Sequence, residues 1–311
     1  VNRPHLRFLL AIALAAAAAP VVHAVAPAAE GPVYTKDRVS AEQMEAMVAG
    51  PLAQAEAGRL EAAQQAFEAL LARSSDKDKP DLLTSFGVGL YKLALGFEED
   101  KDDRIRRASL PYLERAIPAT AARFGAGHPE TALALTTYAD AMRELSPDNP
   151  PRQVDELYQH AYDIRRHTLG PNNAETLYTL LRLAQMKGHP SRTAGDPAKI
   201  VEAAGLFDQV IKGRQANPDQ PDYEPPEEAR YSLIEMYVRN GQVDQALATA
   251  RAGDAIVRAG EPHCPIGPHH WALSFALAEA GREAEAKAVL TPAAPQPPEC
   301  EPFPPVVRIG Q

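Results

Sequence analysis

Residues 123–133 read RFGAGHPETAL, and residues 168–178 read TLGPNNAETLY. Phe124-Gly125 followed by Pro129-Glu130-Thr131 returns 45 positions later as Leu169-Gly170 followed by Ala174-Glu175-Thr176. Each copy has the chemistry of a junction between two helices. A glycine after the last helical residue supplies a left-handed conformation without a Cβ penalty. His128 or Asn173 can then cap the next helix. Pro129 falls in the first turn, where a missing N–H costs nothing, and so does its counterpart Ala174. Glu130 and Glu175 follow, where a carboxylate favours the positive end of the helix. A chain repeats such a phrase because each unit must end one helical pair and begin another.

Working outward, the stretch from Ser40 to Leu290 is dominated by alanine, leucine, glutamate, glutamine and arginine, with few β-branched runs. These side chains lose little rotamer freedom in a helix. A second phrase recurs within it: glycine, alanine five residues on, then a larger or apolar residue four further. Gly58-Ala63-Phe67, Gly241-Ala246-Ala250 and Gly281-Ala286-Leu290 all follow this spacing. The alanine lets two helix backbones approach closely, and the residue one turn later fills the space beside it. Each phrase predicts a tight antiparallel helical hairpin.

Together these phrases resemble the tetratricopeptide repeat, and the middle of the chain resembles its longer variant in kinesin light chains, where LG-x-x-H-P-x-T joins the units. Six hairpins are expected, at about 41–71, 81–117, 129–167, 174–213, 226–259 and 267–292. In the second, Phe86, Gly87 and Leu90 stand where the repeat places Leu/Phe-Gly-x-x-Leu; in the fifth, Leu233 and Tyr237 match but Ile234 replaces the glycine. The resemblance implies an all-α fold, a right-handed α-solenoid of about six antiparallel hairpins. Segments 97–107 and 146–153 are expected to expand the turns inside the second and third hairpins. Residues 188–197 and 216–228 are expected to lengthen later connections.

The N-terminus has a different character. Arg3, His5 and Arg7 precede the apolar stretch FLLAIALAAAAAPVV, which ends in small residues at 24–26. That is the pattern of a secretory signal peptide, with cleavage after Ala24 or Ala26. Its apolar core is shorter than the roughly 20 residues needed to span a bilayer. The expected organisation is therefore a signal peptide at 1–24, a linker at 25–40, a repeat domain at 41–293 and a proline-rich tail at 294–311. The expected location is periplasmic or secreted. The formal charge is −9, and cleavage would remove Arg3 and Arg7 but no acid, giving −11. Such a chain repels a phosphate backbone, so nucleic acid is excluded as a natural partner. No later segment reads as a membrane insertion.

Cys264 and Cys300 are the two cysteines. In an exported protein they invite a disulfide. One precedes the first helix of the last hairpin and the other follows its second, and these ends lie side by side in an antiparallel pair. A bridge across this 36-residue separation would contribute on the order of 3–4 kcal/mol. The alternative is a metal site, because His263, Cys264, His269 and His270 fall within eight residues. No paired C-x-x-C or H-x3-H spacing supports it. There is no G-x-S-x-G elbow, H-E-x-x-H motif or phosphate-cradling glycine loop, so no catalytic residue and no cofactor is expected.

The resemblance places the first helix of each hairpin on the concave side of the array. Residues expected to face that groove are Val88, Tyr91, Thr136, Asp140, Arg143, Tyr178, Gln185, Tyr231, Glu235, Trp271 and Phe275. Aromatic anchors beside a few polar groups suit protein recognition. The expected function is non-catalytic capture of an extended segment or helix of a partner protein, with Arg143, Asp140 and Glu235 setting its orientation. Two competing expectations are an assembly scaffold using the convex face or the tail FPPVVRI, and a metal-handling or enzymatic protein centred on 263–270.

Overall fold

In a computed structural model the described residues are 41–96, 99–216, 226–260 and 268–290, and they form thirteen helices with no strand among them. In chain order these are α1 (Ala41–Glu56), α2 (Leu60–Arg73), α3 (Lys79–Ala94), α4 (Glu99–Phe124), α5 (Pro129–Glu144), α6 (Gln153–Thr168) and α7 (Ala174–Lys187). The short α8 (Pro190–Thr193) follows. Then come α9 (Pro197–Gln215), α10 (Pro226–Arg239), α11 (Val243–Gly260), α12 (Pro268–Glu279) and α13 (Glu283–Val289). Leaving α8 aside, they pair in sequence order into six hairpins: α1/α2, α3/α4, α5/α6, α7/α9, α10/α11 and α12/α13. The first helix of each hairpin packs on the second helix of the one before, as α3 does on α2 and α5 on α4.

Both repeated phrases act as their chemistry requires. Gly125 and Gly170 end α4 and α6 with φ of 100° and 90°. His128 Nδ1 then accepts the Glu130 amide at 3.2 Å, and Asn173 Oδ1 accepts the Glu175 amide at 2.9 Å. The His128 ring also stacks on Phe124, closing the junction across the glycine. Replacing Asn173 with alanine strips the start of α7 of its cap. The expected loss is about 1 kcal/mol, read as a lower urea midpoint with unchanged slope.

The hairpin interiors obey the second phrase. Ala63, Ala246 and Ala286 are all buried where their helices turn back on the partner. Gly87 serves the same purpose in the second hairpin from the other side: a Cβ there would meet Leu113 side-chain carbons at 2.8 and 2.9 Å, so α3 and α4 touch through a gap only glycine leaves open. Across the first two hairpins, Phe67 of α2, Phe86 of α3 and Tyr112 of α4 form one aromatic cluster. The Phe67 and Phe86 rings are stacked at 4.0 Å, and Tyr112 meets both edge-on.

One expectation is corrected. Residues 99–107 do not expand a turn; they are the first turns of α4, leaving only 95–98 between α3 and α4. The acids of EDKDD fall in that first part of the helix, where carboxylates suit the positive end of the dipole. Residues 145–152 do separate α5 from α6, and 188–196 carry the extra helix α8 inside the fourth hairpin. The segments 1–40 and 291–311 lie outside the described residues, and with them the expected signal peptide, linker and tail. No helix among the described residues is long and apolar enough to cross a membrane.

Candidate functional site

The first helices of neighbouring hairpins carry a connected set of polar side chains from α3 to α10. At its centre is Asp140 of α5, only 3 % exposed. Its Oδ1 accepts the Tyr158 hydroxyl at 2.6 Å, and its Oδ2 accepts the Tyr178 hydroxyl at 3.0 Å. Two guanidiniums stand beside it, Arg182 at 3.6 Å and Arg143 at 4.0 Å. Arg182 also lies over the Tyr178 ring, 4.8 Å from its centroid. One turn along α5, Glu144 accepts from the Tyr91 hydroxyl at 2.9 Å and from Arg143 at 3.0 Å, and it pairs with Arg106 of α4 at 3.2 Å. Towards α10, Arg182 donates to Gln185, which donates to Ser232 at 3.0 Å.

The electrostatics fix which groups donate. Burial, then the negative charge of Asp140, pushes the Tyr178 hydroxyl up to about 12 and raises that of Tyr158 well above its ordinary value. Burial and the Asp140 and Glu144 charges raise Tyr91 likewise. All three tyrosines stay protonated and act as donors to carboxylates. For Arg182, burial works against the charge, but Tyr178 and Asp140 outweigh it and raise the pKa. The tyrosine hydroxyls and the Asp140 carboxylate are thus tied to one another, while Nε of Arg106, Arg143 and Arg182 and Oε2 of Glu144 are buried with ion-pair contacts but no well-formed hydrogen bond among the described residues.

Beside this network, between α7 and α10, is a recess of about 180 Å³. Met186, Phe207 and Met236 give it apolar walls; Arg143, Gln185, Ser232, Glu235 and Arg239 supply polar groups. Glu235 and Arg239 pair at 2.7 Å and both are partly exposed. Tyr231, one turn before Glu235, is 39 % exposed.

The structure thus brings Tyr91, Asp140, Arg143, Tyr178 and Gln185 into one network, with Glu235 across the recess from Arg143 and Tyr231 beside it. Val88 is half-buried against the core of the third hairpin. Thr136 is buried, its hydroxyl donating to the Ala132 carbonyl of its own helix at 2.8 Å. Phe275 is buried and Trp271 half-buried on α12. Cys264, Cys300 and His263 lie outside the described residues, and of His269 and His270 only the backbone within α12 is described. No cluster of metal-ligating side chains occurs among the described residues.

Sequence reasoning expected 188–197 only as a lengthened connection and missed Tyr158, Arg182 and the capped helix α8 within that stretch. The last had a signal: GHP at 188–190 repeats GHP at 127–129. His189 caps α8 as His128 caps α5, with Nδ1 accepting the Ser191 amide at 3.2 Å and Nε2 donating to the Pro147 carbonyl at 3.1 Å. The ring is therefore neutral. Burial is the largest influence and lowers its pKa below the ordinary value; the hydrogen bond to the Pro147 carbonyl opposes it, the charges of Arg239 and Arg192 add to the lowering, and Asp148 opposes it least. A base lowered in the folded state stabilises the fold fully above its unfolded pKa of about 6.5. That contribution is lost as pH falls from there towards the folded value. A drop in Tm between pH 7 and pH 5 is expected, and His189→Asn, which can still cap, is expected to make the drop smaller.

Six hairpins stacked in sequence order, with a left-handed glycine and a His or Asn cap at the α4–α5 and α6–α7 joints, define a tetratricopeptide-like helical repeat solenoid. Solved structures of that class match it. A crystal structure described as a kinesin light chain from Podosopora anserina, with nearly identical TPR-like repeats, aligns with a TM-score of 0.50. That alignment has 19 % identity over 65 % of this chain and 90 % of the other. A single-substitution form of the same protein aligns at 0.51, with 18 % identity over 68 % of this chain and 92 % of the other. At these identities the likeness is one of fold. No protein-family model and no curated protein matches the chain in sequence.

Proposed function

We propose that the chain is an exported, non-catalytic interaction module that holds a segment of a partner protein against the face formed by α5, α7 and α10. The observation that carries this reading is the recess beside Asp140: apolar walls, a partly exposed ionic rim and an exposed tyrosine next to it. A recess of about 180 Å³ suits a single inserted side chain rather than a whole small molecule, whose sites run to roughly 300 Å³ and above. Tyr231 and the Glu235–Arg239 pair would meet the partner directly. Asp140 would act from beneath, by holding Tyr178, Arg143 and Arg182 in place. The N-terminal pattern supports export to the periplasm or outside the cell, the compartment in which a Cys264–Cys300 bridge would form. The acidic charge argues against nucleic acid.

The test is site-directed photo-crosslinking in cell-envelope extract of the producing organism. A photoreactive phenylalanine analogue at position 231 is compared with one at Val201 of α9, which is 71 % exposed and lies off the recess. Adducts of one defined protein from 231, absent from 201, are expected. Adducts from 201 alone would overturn the assignment of the face.

A further inference from the structure

On α2, α3 and α4, away from the residues described above, the chain carries a second surface with the features of a docking site. A groove of about 520 Å³ opens between the second helices of the first two hairpins. Leu71 of α2, Pro80 and Leu83 of α3 and Ala119 and Ala122 of α4 line it with apolar atoms. Its charged lining is one-sided: Lys77, Lys79, Arg115 and Arg123 against a single acid, Asp76. In a chain with a formal charge of −9 this concentration of cations is local.

The cations are held loosely. Lys79 pairs with Asp76 at 2.6 Å and Arg115 with Glu68, but both pairs stand in solvent. Exposed pairs of this kind contribute little and exchange readily for another carboxylate. Lys77 is exposed. Arg123 is held over the Phe124 ring, and its Nη1, shielded from water, has no hydrogen-bond acceptor among the described residues. A shielded guanidinium N–H without an acceptor is costly, and a carboxylate is its natural complement. The N-terminus of α3 opens onto the same turn, and its N-cap Asp78 makes no side-chain cap bond.

We propose that this groove docks an acidic peptide segment of a partner protein, with one apolar side chain seated on Leu71, Leu83 and Ala122 and carboxylates on either side meeting Lys77 and Arg123. The site is independent of the recess beside Asp140, so a partner could engage either face alone.

The probe is a phage-displayed library of random twelve-residue peptides selected on the full chain. The strongest binders are then synthesised and measured by fluorescence anisotropy at about 0.15 M salt, where surface charges act within roughly 8 Å. Peptides carrying two or more acids around an apolar residue are expected to dominate. Lys77→Glu combined with Ala122→Glu changes only exposed side chains, and should weaken their binding at least tenfold with helicity unchanged. Lys212→Glu, an exposed charge on α9, should leave it within twofold. The proposal is overturned if the groove variant binds as the parent does, or if Lys212→Glu weakens binding equally. It also falls if no acidic peptide is selected, including the case in which phosphatidylglycerol vesicles bind and peptides do not. Crosslinking from position 231 is unaffected by any of these results, so the two readings stand or fall separately.

Discussion

Asp140→Ala is expected to cost about 3–5 kcal/mol of stability, the range for removing one partner from a buried ion pair. The carboxylate is the single acceptor shared by the Tyr158 and Tyr178 hydroxyls, and it faces two guanidiniums. Its loss leaves a buried donor, Tyr158, and a half-buried one, Tyr178, without a partner, and two positive charges facing each other across the gap. Asp140→Asn keeps one oxygen as acceptor and should cost less than the alanine. Urea denaturation followed by circular dichroism measures both. A loss below about 1 kcal/mol for the alanine variant would mean that the network is held from solvent rather than from Asp140.

The second large effect is expected at Phe86→Ala, again about 3–5 kcal/mol. Phe86 is fully buried, stacks on Phe67 and meets Tyr112, so it joins the first hairpin to the second. At the next residue, Gly87, α3 and α4 already meet through Leu113, which leaves the two helices little room to close on the space. In a solenoid each unit contacts only its neighbours. The damage should therefore be local. Amide hydrogen exchange should quicken through α1–α4 and leave α7 and α9 at parent rates. Uniform acceleration along the chain would refute that locality.

The six hairpins were legible because their punctuation is local. A left-handed glycine, a cap two or three residues later and an alanine at fixed spacing are short-range requirements, and Gly125–His128 and Gly170–Asn173 state them twice. The acidic run at 99–107 misled because charge was read as a solvated turn, whereas glutamate and lysine are good helix formers and acids suit a helix start. The polar network was only half legible. Tyr91, Asp140, Arg143, Tyr178 and Gln185 could be placed on one face from the repeat resemblance together with helix period. That Asp140 would be enclosed by Tyr158 from the second helix of its own hairpin could not, because that bond depends on how α6 crosses α5. The same kind of packing detail decides that Thr136 and Phe275 are covered while Tyr231, one hairpin on from Tyr178, is open.

The segment 188–196 has a mechanical meaning. It belongs to the fourth hairpin but is fastened on both sides. Arg192 donates to Asp155 at 2.6 Å and to the Pro150 carbonyl at 2.8 Å in the third, and Asn240 of the fifth donates to the Gly188 carbonyl at 2.8 Å. A plain stack of helical pairs is a spring whose coils yield one at a time. Here three consecutive coils are stitched together, and the compliance moves to the two ends. A load applied through a bound partner would be carried by the stitched middle as a rigid strut, while the outer pairs stretch first.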